Sequence, residues 1–116
     1  MITILPADKE TLQLLAVPEG REAMVLRDSA GRITGHGMFA VAGDTVEVFS
    51  AVAEEPILVE GIIRSVLNAG DCRGAVTGLC RVEALAPLLR HLEFEAGEDG
   101  YTVSLASFFR GECRCH

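Results

Sequence analysis

Tryptophan is absent, tyrosine occurs once, and aromatic residues make up only 5% of the 116-residue chain. A core of stacked rings is therefore excluded, and with 49% apolar residues the interior has to be built mainly from Val, Leu, Ile and Ala. No apolar run approaches the roughly 18 to 20 residues that a membrane helix needs. The segment Met1-Ile2-Thr3-Ile4-Leu5-Pro6 lacks the basic, apolar and small-residue zones of a signal peptide, so a cytoplasmic protein is expected. Positive charge is also scarce: the formal net charge is −7. That balance suits neither a nucleic-acid backbone nor an anionic membrane, both of which ask for a basic footprint. A small molecule or a protein that is neutral or cationic is the expected partner. With no export signal recognised, the four cysteines, Cys72, Cys80, Cys113 and Cys115, are read as reduced thiols rather than a disulfide framework.

The length matches one ordinary domain that can bury a core without disulfides or metal. No repeat, low-complexity tract or linker divides it, so residues 1–116 are read as a single unit, with 106–116 as a flexible tail. Ile2 to Leu5 reads as a strand, and Asp8 as the cap of a helix that Pro18 and Gly20 stop. Three antiparallel strands follow: Ala23 to Arg27, Ile33 to Val41 and Val46 to Val52, reversed at Asp28-Ser29-Ala30-Gly31 and at Ala42-Gly43-Asp44. The apolar period then changes from 2 to 3.6, with Leu58, Val59, Ile62, Ile63, Val66 and Leu67 on one helical stripe after Glu54-Glu55-Pro56. Ala75 to Cys80 reads as a buried strand, which makes a strand-helix-strand crossover. A second helix in Val82 to Leu92 is either kinked or delayed by Pro87. Phe94 to Ala96, a turn at 97–100 and Tyr101 to Leu105 close the chain as a hairpin.

This order of elements resembles the GNAT acetyltransferase superfamily. Val46 to Val52 with the helix behind it looks like the family's cofactor strand and helix, and Leu88-Leu89-Arg90-His91-Leu92-Glu93-Phe94-Glu95 resembles the family phrase F-Y-x-K-L-G-F-E. The resemblance covers about Glu22 to Leu105. It implies an α/β (α+β) fold with a mixed, mainly antiparallel central sheet, a β-α-β crossover and helices on both faces. Before Glu22 the family has two helices that wall the acceptor site, and here there is room for one. Where the family signature R/Q-x-x-G-x-G/A lets backbone N–H groups close on the pyrophosphate of acetyl-CoA at a helix start, this chain has Glu54-Glu55-Pro56-Ile57-Leu58-Val59. A carboxylate held close to a phosphate charge opposes binding by roughly 2 to 4 kcal/mol at an effective dielectric of ~20. Equally, Pro56 suits the first helical position and Glu54 and Glu55 suit the positive end of the helix dipole, so the chain's own anions are expected to fill the phosphate position. The family's acid tyrosine matches Leu89, which cannot protonate a thiolate. Glu93 stands where the family has glycine, which suggests a different bend.

Several other residues carry candidate chemistry. Glu47 is placed where some family members hold a base, and is also readable as a paired strand glutamate. His36, between Gly35 and Gly37, reads either as a base or ligand, or as a neighbour of a bulge. His91 reads as a helix-end or surface residue. Ala51 and Val52 are the backbone candidates for an acyl-CoA arm. Cys113, Cys115 and His116 are three metal-ligand types in a short tail, with Cys72 or Cys80 as a fourth, although zinc sites usually space their cysteines more widely. Three functions remain open. The leading one is a GNAT-like binding module without conventional acetyl-CoA catalysis, with homodimerisation through sheet edges or the C-terminal strand as one option; the others are a divergent N-acyltransferase and a metal sensor.

Overall fold

The computed structural model describes residues 1–109. Its strands are β1 (Thr3–Pro6), β2 (Glu22–Arg27), β3 (Ile33–Ala42), β4 (Thr45–Val48), β5 (Val52–Ala53), β6 (Thr77–Cys80), β7 (Glu95–Gly97) and β8 (Gly100–Ser104). The helices are α1 (Lys9–Leu14), α2 (Val59–Cys72), α3 (Ala86–His91) and α4 (Leu105–Phe108). One sheet runs in the order β1-β2-β3-β4-β6-β8-β7, while β5 returns to pair with β3. Only the β4 and β6 pairing is parallel, and α2 is the crossover between them.

Local chemistry explains most boundaries. Asp8 caps α1 by accepting from the Thr11 N–H at 2.8 Å, and the Thr11 hydroxyl together with that N–H holds its carboxyl below the ordinary range. Asp28 takes the N–H groups of Ala30 and Arg32 in the β2–β3 turn, at 2.9 Å each. Pro87 delays α3, which begins only after a three-ten turn over Glu83–Leu85. The stretch from Ala106 to Phe109, expected to begin a tail, instead completes α4 and buries Phe109, because the Ser104 hydroxyl caps that turn and Leu105 anchors it in the core.

Alternation along β3 separates the two faces of the sheet: Gly35, Gly37 and Phe39 are buried, whereas His36, Met38 and Ala40 are half-buried. The buried face packs against Ile62, Ile63, Val66 and Leu67 of α2 and shares one core with Leu89 of α3 and Leu105 of α4. Contact is close because glycines floor it. A Cβ on Gly37 would lie 2.5 Å from Ile62, one on Gly78 2.7 Å from Leu67, and one on helical Gly70 2.5 Å from Val46. On the other face, α1 sits at the β1–β2 end, where Thr11 lines a hollow with Leu5, Val25 and Arg27. The expected helices on both faces are thus present.

Three helices stop in the same way. Phe94 and Glu93 donate to Leu89 and Arg90 after α3; Val17 and Ala16 donate to Leu12 and Gln13 after α1; Ala75 and Gly74 donate to Gly70 and Asp71 after α2. Each pattern needs one left-handed residue, and these are Glu93 (φ 68°), Ala16 (φ 55°) and Gly74 (φ 90°). Glu93 therefore keeps the bend that glycine gives the family phrase, contrary to the expected change, and carries the strain of a side chain there. Glu93→Gly is expected to stabilise the protein by about 0.5 to 1 kcal/mol in urea titrations, and Glu93→Ala to give no gain. Equal midpoints for Glu93→Gly and the parent would contradict this.

Candidate functional site

The sequence expects one strand from Val46 to Val52, but the strand breaks. The β4 and β6 ladder ends at Val48 and Cys80. Phe49 and Ser50 then both donate to the Met38 carbonyl, at 2.8 and 3.4 Å, and the Met38 N–H donates to Ser50 Oγ at 3.2 Å. Two residues against one is a bulge, which bends the strand. The chain resumes as β5 against β3, with Val52 opposite His36 and Ala53 opposite Gly35. A Cβ on Gly35 would lie 2.7 Å from the Val52 carbonyl oxygen, so the glycine is required by this crossing as well as standing beside the register shift at Leu26/Arg27. Beyond Val48 and Cys80 the ladder between the two central strands ends. Since Glu54 donates to Thr34 at 2.8 Å, the alternation of the ladder directs the Val52 peptide groups to β3 and those of Ala53 to the open side. Ala51 is buried, and the Val52 side chain is 51% exposed.

At the start of α2 the chain consumes its own donors. Pro56 has no N–H, Leu58 donates to Glu55 at 2.9 Å, and Val59 donates to Pro56 through a three-ten turn over Pro56–Leu58. The expected filling of this position by the chain's own anions does not occur. Glu55, the residue that caps the turn, makes no side-chain cap hydrogen bond. Glu54 turns aside to Arg32, which forks onto both its oxygens at 2.8 and 3.0 Å and also reaches Asp28 at 3.4 Å. The guanidinium holds the Glu54 carboxyl below its ordinary range. Ile57 projects into solvent, 82% exposed.

On the face opposite α2, Glu47 meets Arg81 at 3.6 Å, and Arg81 Nε donates to the Asp99 carbonyl at 3.0 Å. Glu47 is thus a paired strand glutamate. His36 shares that face but stands four residues from Ala40, the partner of Glu47, or roughly 13 Å along the strand. The structure does not bring the two candidate bases together. His91 is exposed at the end of α3, 4.0 Å from Glu60. Residues missed by sequence reasoning are Arg81, Arg32 and Arg21, whose guanidinium carbon lies 3.7 Å from the centroid of the Phe49 ring. All three act across strands, where no local spacing betrays them. Among the described residues no group of His, Cys, Asp and Glu is arranged to hold a metal. The candidates Cys113, Cys115 and His116 lie outside the described residues. Cys80 is buried, and burial pushes its thiol pKa up, which makes it a poor ligand or nucleophile.

No protein-family model and no curated protein matches the chain. Solved structures do. The ribosomal-protein-S18-alanine N-acetyltransferase of Escherichia coli superposes with a TM-score of 0.72 at 14% identity, covering 90% of this chain and 94% of that one. An acetyltransferase ascribed to the GNAT family, from Desulfovibrio desulfuricans, gives 0.61 at 15%, covering 84% and 78%. This chain has the GNAT fold. A further GNAT-fold match is the E. coli N-acetyl transferase YhhK, solved with coenzyme A bound, at a TM-score of 0.67 and 12% identity over 90% of this chain and 98% of that one. Leu89, which the sequence resemblance aligns with the family tyrosine, is fully buried in the core that α3 shares with the sheet. No helix of the described residues is long and apolar enough to cross a membrane.

Proposed function

We propose that this GNAT-fold domain is a binding module without conventional acetyl-CoA-dependent catalysis. The observation that carries the reading is the start of α2. Of the four residues Pro56 to Val59 that lead into it, three offer no free N–H, one being proline and two donating within the three-ten turn, so an incoming pyrophosphate finds few amides to accept from. The branched Ile57 stands there in place of a small residue, while Glu54 is held aside by Arg32. Two further features agree with it. Leu89 offers no proton to a leaving thiolate, and Glu47 is engaged by Arg81.

Isothermal titration of the purified chain with acetyl-CoA is the direct test. No saturable heat is expected at micromolar concentrations, and none with free CoA. A dissociation constant below about 10 μM, worth roughly 7 kcal/mol, would overturn the reading and return the domain to the acyltransferases.

A further inference from the structure

The face of the sheet away from α2 is covered by α1 only at its β1–β2 end, and an arginine with unspent donors lies across it on Phe49. Arg21 lies just before β2. Extending the β2–β3 register by one residue sets it opposite Ala40, whose methyl group leaves the guanidinium free to pass over β3 and stack on Phe49. Among the described residues no carboxylate pairs with Arg21. Its five N–H donors are therefore left to solvent on a plane already fixed by the ring beneath. Arg81, the residue after β6, meets Glu47 on this same face. Arg81 spends Nε on Asp99 and faces Glu47 at 3.6 Å, longer than a hydrogen bond. Arg81 meets Glu47 and shares a hollow with Glu83, Glu98 and Asp99, so the charge left without a carboxylate partner on this face is that of Arg21. Half-buried Met38 and Leu79 supply an apolar floor on either side of Phe49.

We propose that this open face is a receptor for a small organic carboxylate, held by the forked donors of Arg21, flanked by Arg81, with its carbon skeleton on Met38 and Leu79. A planar, immobilised guanidinium matches a carboxylate with two parallel hydrogen bonds, and stacking on Phe49 removes much of the side-chain entropy that such a contact otherwise costs. Glu47 repels a second anion, so the site selects one carboxylate and tolerates a donor group nearby. The inference rests on the binding-module reading and names the ligand class of that module.

The test uses the isotope-labelled full chain with N-acetyl-L-alanine and its amide, which differ only in the carboxylate. The acid is expected to move the backbone amide signals of Met38, Phe49 and Arg81 saturably, with a dissociation constant on the order of millimolar, and the amide to leave them in place. Arg21→Gln should weaken binding of the acid by about tenfold or more, and Arg21→Lys should keep only part of the affinity, since it retains charge without the planar fork. Well-dispersed spectra of both variants check folding, which an exposed residue is not expected to disturb. Equal shifts with acid and amide, or unchanged affinity in Arg21→Gln, would overturn the proposal. Acetyl-CoA titrated into the same sample separates the two levels. Tight acetyl-CoA binding sinks the module reading, whereas silence toward both acetyl-CoA and the carboxylate sinks this inference alone.

Discussion

Leu89→Ala is expected to cost about 3 kcal/mol of folding stability, read as a drop in the urea midpoint at unchanged slope. The side chain is fully buried in the cluster that joins α3 to the sheet. Its removal leaves a cavity that neighbouring side chains fill only in part. The informative companion is Leu89→Tyr, which installs the residue of the family phrase. A phenol needs more volume than this site offers and brings a hydroxyl that burial leaves without water, so the variant should also lose stability, by about 1 to 3 kcal/mol, and gain no transferase activity. A tyrosine accepted without loss would mean that the α3 position faces open space, and the argument from Leu89 would fall.

Gly70→Val should be comparably damaging, by about 3 kcal/mol, even though glycine is a poor helix former and its replacement inside α2 would by itself help by up to about 1 kcal/mol. Packing decides the sign. A Cβ at this position would lie 2.5 Å from Val46 Cβ and 2.6 Å from its Cγ1, atoms close to the backbone of a buried strand that cannot swing away. α2 would have to lift from the sheet. Urea titration would again measure the effect, and a neutral or stabilised variant would show that the helix has slack that its close contacts with Gly37 and Gly78 deny.

What was legible in the sequence and what was not divides by distance along the chain. Asp8, the Asp28 turn, the α2 stripe and the delay imposed by Pro87 are all settled within a few residues, and the pattern displays them. The break in Val46 to Val52 was hidden because apolar alternation is the same whether a strand pairs with one neighbour or two; the bulge depends on the Met38 carbonyl of another strand. The fate of Glu54 was misread for a related reason. A carboxylate before a helix has the chemistry to cap it, but Arg32, 22 residues earlier, makes a better partner by forking onto both oxygens. The same holds for Arg81 on Glu47 and Arg21 on Phe49, pairings fixed only once strand order is known. For the bend at Glu93 the signal was present, since the family phrase has glycine there. A changed residue there leaves the left-handed backbone unchanged.

The parallel ladder of Thr45–Val48 against Thr77–Cys80 is the single seam by which the sheet's strands from β1 to β5 meet those from β6 to β8 among the described residues. Below it the two leaves share one core, so α2 and that core, more than the ladder, keep them in register.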